Sequence, residues 1–241
     1  MIIKALLYNY AYFCYNSAKR LSVTFGSISY LNLLPFQVFL KRSLPHSQAQ
    51  QAIRFKRAVP SRINNAFKKR KVNAAFISSI TSGKCRCTDL GIIADGPVYS
   101  VFVSPGKDEA DKESATSNIL AGVLGLQGKV TIGDKALKSY LDGMEGIDLS
   151  ERWKEKTGLP FVFARLCYNR YGRKIEKLAS MFAKQHIYIP QHTLKKEAKM
   201  RGIEPAELRW YLDHIHYRMD HRARRSLKIF LKQGKKTANR I

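Results

Sequence analysis

The sequence predicts an α/β protein of two lobes, the second inserted into the first, with mixed, largely parallel sheets. Three observations carry this. Short β-branched and aromatic runs alternate with helical periodicity from Val23 to Tyr168, the pattern of helices packed on sheets. Two longer runs, "GPVYSVFVSP" (96–105) and "LPFVFARLCY" (159–168), have the length of strands that pass between lobes. Beyond Arg173 the chain reads as helix, which returns it to the first lobe. Residues 22–101 and 165–241 then form lobe 1 and residues 102–164 lobe 2, with a cleft between them.

Taken in order, residues 23–28 form a first strand, and a turn at Asn32 leads into a short helix over 33–40. Residues 41–50 are polar and read as loop. In "AVPSRINNAFKKRKVNAAFISSI", Ser61 can cap a helix whose Ile63, Ala66 and Phe67 share one face. Residues 72–77 form a strand that delivers Ser78 and Ser79 at its carboxyl end. In "ESATSNILAGVLGL", Ser114 or Thr116 caps a helix with Ile119, Leu120, Val123 and Leu124 on its apolar side. A strand over 129–132 ends in Gly133-Asp134, and "KALKSYL" opens the next helix. Trp153 lies in a helical stretch closed by Gly158. Leu178, Met181 and Phe182 make one stripe. Pro205 opens another helix, in which Leu208, Leu212, Ile215 and Met219 keep helical spacing. Trp153 and residues 161–163 are read as packing.

Ligands of such folds sit beyond the carboxyl ends of strands, at helix amino termini. Asn32, Ser78, Ser79, Thr116, Ser117 and Asp134 all fall there. The polar cluster Ser29-Tyr30-Leu31-Asn32, where a strand hands over to a helix, either caps that helix or faces a ligand.

Charge narrows the partners. The 241 residues hold 43 Lys and Arg against 18 Asp and Glu, a net charge of +25. No carboxylate side chain precedes Asp89 and none follows Asp220. Such a balance draws anions, whether nucleic acid, an acidic surface or small polyanions. The sequence has no zinc-finger spacing, RNA-recognition motif or heptad-bearing basic region, so no specific nucleic-acid partner is expected. Cys14, Cys85, Cys87 and Cys167 are scattered and lack the pattern of a zinc site; they read as reduced thiols, which leans towards the cytoplasm. Residues 1–21 are too polar for a signal core and too short to span a bilayer. They read as an extension or as a misplaced start.

Several segments taken together resemble one family. "SYLNLLPF", "VPSRINNAFKKRKVNAAFISS", "DKESATSNIL", "IGDKALK" and "WKEKTGLPFVFARL" occur in the order found in chorismate dehydratases of the futalosine route to menaquinone, and look closest to those of Helicobacter-type bacteria. The resemblance implies a type II periplasmic-binding-protein-like fold used as a cytoplasmic enzyme. Its reaction removes water from chorismate to give 3-(1-carboxyvinyloxy)benzoate, with no metal or organic cofactor. Carried over by motif, Asn32 and the serines Ser78 and Ser79 would be catalytic. Ser29, Tyr30, Ser61, Ser114, Thr116, Ser117, Gly133 and Asp134 would bind substrate. The rival expectation is a solute-binding protein of the same fold that captures a small carboxylate without chemistry.

A dianionic substrate suits helix amino termini and hydroxyls, as offered by "PSRIN" and "SATSN". The base is less obvious. With no acid before Asp89, neither "YLN" nor "ISS" supplies a carboxylate. Either the substrate's own enolpyruvyl carboxylate takes the proton, or Asp134 does. Asp134 has a plain structural alternative as a helix-terminal hydrogen-bond acceptor. Register alone leaves open whether Ser78 or Ser79 faces the cleft.

Overall fold

The computed structural model describes residues 23–43 and 53–238; the expectations for residues 1–21 and for most of the 41–50 loop fall outside them. Strand β1 (Val23–Ile28) is buried nearly throughout. It runs through a 3-10 turn (Leu31–Leu33) into α1 (Leu34–Arg42), with Pro35 in the first turn where its missing N–H costs nothing. There follow β2 (Ile53–Ala58), α2 (Pro60–Lys68), β3 (Ala74–Ser78), a second 3-10 turn (Ser79–Lys84) and β4 (Cys87–Ala94). The middle of the chain supplies β5 (Val101–Ser104), α3 (Ala115–Leu124), β6 (Lys129–Ile132), α4 (Gly133–Leu141), β7 (Ile147–Asp148) and α5 (Leu149–Thr157). The chain then returns through β8 (Phe161–Tyr168), α6 (Gly172–Ala183), α7 (Gln191–Lys199), α8 (Pro205–Asp213), β9 (His216–Arg218) and α9 (His221–Ala238).

Two sheets define two lobes. The larger has the order β2-β1-β3-β8-β4-β9 and the smaller β6-β5-β7. Parallel pairing is confined to β1 with β2 and β3; every other ladder in both sheets is antiparallel. The sheets are therefore mixed, with less parallel content than the alternation of elements suggested.

Neither long run is a strand that crosses between lobes. Of residues 96–105 only Val101–Ser104 is extended, and it lies wholly in the small sheet. The crossing itself is made by residues 95–100. Tyr99 takes φ 57° there, and the N–H groups of Val98 and Tyr99 both donate to Asp148 Oδ2 at 2.9 and 2.7 Å. Asp148 also caps α5 through Ser150 and Glu151. One buried carboxylate thus ties the crossing to the small lobe. Its desolvation outweighs those four bonds and pushes its pKa up to about 6.

Strand β8 belongs to the large sheet along its whole length, between β3 and β4. There Cys87 and Cys167 are register partners joined as a disulfide. This corrects the reading of four reduced thiols and removes that argument for a reducing compartment. The pairing is hidden in the sequence because 80 residues separate the two.

Aromatic packing fills the large lobe behind β1. Phe36 meets Phe25, Phe76 and Phe182 edge to face, and Phe182 in turn meets Tyr217 at 5.1 Å. Trp153 and Phe161 are fully buried and pack on Phe230 of α9, so the last helix closes the core. No helix among the described residues is long and apolar enough to cross a membrane.

Candidate active site between the lobes

Where the strand ends of the two sheets face each other, they enclose a cavity with about 510 Å³ of empty space, counted out to its open mouth. Its polar lining is Tyr30, Asn32, Ser78, Ser100, Ser114 and Ser117, and Gly133 contributes backbone. Ile28, Val101, Phe163 and other apolar side chains complete the wall. Among the described residues, no Asp, Glu, His, Lys or Arg lines it.

Asn32 lies in the 3-10 turn after β1, as expected for the end of a central strand. Its side-chain Oδ1 is buried and has no hydrogen-bond partner. A buried acceptor left open costs about 1–3 kcal/mol, so the turn holds it there against a penalty that a donor in the cavity would relieve.

Between the two serines the structure decides for Ser78. Its Oγ accepts from Asn64 Nδ2 at 2.7 Å, and its N–H donates to Asn64 Oδ1 at 3.0 Å. The Ser78 hydroxyl proton remains available to the cavity. Ser79 is fully buried and lies outside the cavity lining. Its Oγ lies 3.5 Å from Thr116 Oγ1, which also accepts from the Ile80 N–H. Thr116 therefore docks α3 onto the large lobe and does not face the cavity.

Helix α3 points its amino terminus inward. Ser114 is the cap, accepting from the Ser117 N–H and donating to Ser117 Oγ at 2.9 Å. Ser117 can pass its own proton to a ligand, beside the first-turn N–H groups that every helix leaves without intrahelical partners. Helix α2 offers less. Val59, not Ser61, is its cap, and the Ser61 N–H is already taken by the Glu113 carbonyl at 3.1 Å. Ser61 does not line the cavity, although Pro60 does.

The remaining predicted residues lie behind the wall. Ser29 is outside the lining, and its carbonyl accepts from Arg201 at 3.1 Å. Asp134 also faces away. Its Oδ1 accepts from the Leu31 N–H at 2.8 Å and its Oδ2 from Arg201 Nε at 2.9 Å. Burial pushes the Asp134 carboxyl above its usual range, against the opposing pull of those two donors. Gly133 takes φ 72°, and a Cβ there would lie 2.5 Å from the Tyr30 ring. Only glycine allows the two lobes to meet at this point.

The acids nearest the cavity are all engaged. Tyr30 donates its hydroxyl to Glu113, and burial together with that carboxylate pushes the phenol pKa far up. Asp111 pairs with Lys135 at 2.8 Å, and Asp134 with Arg201.

Several residues escaped the sequence reading. Asn64 left a signal, since it and Asn65 are poor helix formers inside α2. Phe163, read as packing, lines the cavity, and Ser100 lines it while bonded to Tyr211 at 3.0 Å. Glu113, Arg201 and Tyr217 touch the site's loops across 83, 172 and 185 residues, which no local pattern reports.

The comparisons with known proteins agree with this geometry. A family model described as menaquinone biosynthesis matches residues 23–131 and 117–236. A Campylobacter jejuni protein named chorismate dehydratase is 42% identical, over 88% of this chain and 97% of that one. A Thermus thermophilus protein of the same name is 26% identical over 85% and 92% of the two chains. Among solved structures, an Archaeoglobus fulgidus protein superimposes with TM-score 0.65 at 12% identity, covering 90% of this chain and 98% of that one. A Candida albicans protein described as having the generic periplasmic binding protein fold gives TM-score 0.51 at 11% identity, over 91% and 90%. The fold is thus of the periplasmic-binding-protein type.

Proposed function

We propose that this chain, which belongs to the menaquinone biosynthesis family, is a chorismate dehydratase acting as a carbon–oxygen lyase on a small dianion. The observation that carries the reading is the buried, unpartnered Oδ1 of Asn32, a residue that lines a cavity walled by hydroxyls and a helix amino terminus. Dianionic chorismate has one hydrogen-bond donor, the hydroxyl at C4. Asn32 Oδ1 accepts from it and sets the ring's orientation.

The ring carboxylate then sits at the amino terminus of α3, bonded by the Ser117 hydroxyl, which Ser114 supports by donating to Ser117 Oγ. There the helix dipole stabilises negative charge. This carboxylate is conjugated with the carbon that loses the proton, so holding it firmly stabilises the dienolate that develops. Loss of the C3 proton and of hydroxide from C4 together amount to one water, and the ring becomes aromatic. With no carboxylate or histidine among the described lining residues, the enolpyruvyl carboxylate takes the C3 proton itself, oriented by the Asn32 amide. Ser78 hydrogen-bonds the departing hydroxyl, which leaves as water with the proton that the carboxylate took.

Thr116, Ser61, Ser29 and Asp134 serve at one remove, by docking and closing the lobes round the substrate. The positive field of a chain without an acid before Asp89 draws the dianion in, most strongly at low salt. Placement in the cytoplasm belongs to the same reading; trapping thiols in intact cells and weighing the chain reports whether Cys87 and Cys167 are joined there.

Purified protein incubated with chorismate is the test, followed by chromatography and mass spectrometry. An aromatic product lighter by one water, its enolpyruvyl group retained, is expected. Chorismate that binds and raises the melting temperature but returns unchanged would favour a solute-binding protein, the role that the likeness to the generic periplasmic-binding fold keeps in view.

A further inference from the structure

The turn that presents Asn32 is held from behind at three backbone points, two of them by side chains outside every motif of the active site. The Ser29 carbonyl accepts from the Arg201 guanidinium at 3.1 Å. The Leu31 N–H donates to Asp134 Oδ1 at 2.8 Å. The Asn32 carbonyl accepts from the Tyr217 hydroxyl at 2.6 Å. Arg201 joins the first two points by donating Nε to Asp134 Oδ2 at 2.9 Å, and its other arm rests on Glu197. Neither Arg201, Asp134 nor Tyr217 lines the cavity.

We propose that Arg201 and Tyr217 are positioning residues for Asn32, forming a brace that keeps its side-chain oxygen aimed into the cavity before substrate arrives. Holding a buried acceptor without a partner is unfavourable. A free turn would relax by rotating the Asn32 backbone until the amide found water or a main-chain donor. Fixing the carbonyl of Asn32 and the N–H of Leu31 removes that rotation, because the two groups bound the dihedral angles that set the Cα–Cβ direction. Such preorganisation lets a hydrogen bond act in the transition state with no reorganisation at the moment of reaction.

The brace is rigid for reasons visible in the fold. Tyr217 sits on β9, and its ring packs edge to face on Phe182 at 5.1 Å. Desolvation pushes its pKa well up, so the phenol remains a donor. Arg201 follows α7 and is held at both ends by carboxylates, with its side chain 17% exposed. It also spans the cleft, since Ser29 belongs to the large lobe and Asp134 to the small one. The C-terminal third of the chain therefore acts on the first turn of the large lobe.

The role in turnover rests on the dehydratase reading, whereas the bracing itself does not. Two substitutions test both, Tyr217→Phe and Arg201→Met, with Arg201→Lys as the conservative partner. Amide hydrogen exchange over residues 29–33 needs no substrate. It should quicken about tenfold in both variants, most at Leu31 in Arg201→Met, while exchange in β3 and β8 stays as in the parent. With chorismate, kcat should fall about tenfold with KM within about twofold, and Lys at 201 should recover part of the loss. In an Asn32→Ala background, Tyr217→Phe should cost nothing further in kcat, the signature of two residues acting through one group. Unchanged exchange, or a loss that simply adds to that of Asn32→Ala, would overturn the brace. If the parent protein leaves chorismate untouched, the dehydratase reading fails, and the exchange rates alone still decide whether the brace exists.

Discussion

The two sides of the turn at residues 29–32 are built from different chemistry. The cavity side is neutral, made of an amide, hydroxyls and a helix end, with no ionisable acid or base but the Tyr30 phenol among the described lining residues. The rear is ionic, with Asp134, Arg201 and Glu197 in one chain of contacts and Asp111 with Lys135 nearby. The difference teaches a division of labour. A fixed dipole can hold an anion without a counter-charge whose own solvation competes. Paired charges suit places that must be held, because breaking one leaves its partner exposed to the full desolvation penalty.

Substitutions at each side break or sharpen this contrast. Removing the open acceptor with Asn32→Ala should have the largest effect, a fall in kcat of about 10²–10³-fold, the usual loss for one aimed group, with the melting temperature held or raised because the buried unpaired acceptor is gone. Placing a charge on the neutral side should come next. Ser117→Asp sets a carboxylate at the amino terminus of α3 against the dianion, and chorismate should no longer protect the protein from thermal unfolding. Ser117→Ala removes only one hydroxyl donor to a charged group and should raise KM about tenfold. On the rear side, Asp134→Asn keeps an acceptor for the Leu31 N–H and should lower kcat only a few-fold.

The neutral wall also makes a statement about pH. Tyr30 is the one titratable side chain among the described lining residues, and its phenol is pushed far above its usual value by burial and by Glu113. It therefore stays protonated and keeps donating throughout the ordinary range. The kcat profile should be flat from about pH 6 to about pH 9. An inflection in that window would point to an ionisable catalyst that the cavity lining lacks.

Much of the front side was legible in the sequence, and little of the rear. A cap at Ser114 or Thr116, Gly158 as a helix stop and Lys129–Ile132 as a strand all follow from local rules of capping and alternation, and the structure puts the cap on Ser114. Strand β2 was missed because Arg54, Lys56 and Arg57 make it look like loop, yet it is an edge strand, where cations are usual. The helix opened by Pro205 was read as carrying Ile215 and Met219, but it ends at Asp213. Those two side chains reach the core from the flanks of β9, and a spacing of four does not tell the two cases apart. Arg201 and Tyr217 act across 172 and 185 residues, so only the fold brings them to the turn.

The most direct test of a neutral active site is kcat for Asn32→Ala and Asp134→Asn measured side by side on chorismate. With the base on the substrate, as proposed, Asn32→Ala should lose far more activity than Asp134→Asn, whose carboxyl is bonded to Leu31 and Arg201 behind the cavity. The opposite order, with Asp134→Asn the poorer enzyme, would make Asp134 the base and contradict the division between the two sides.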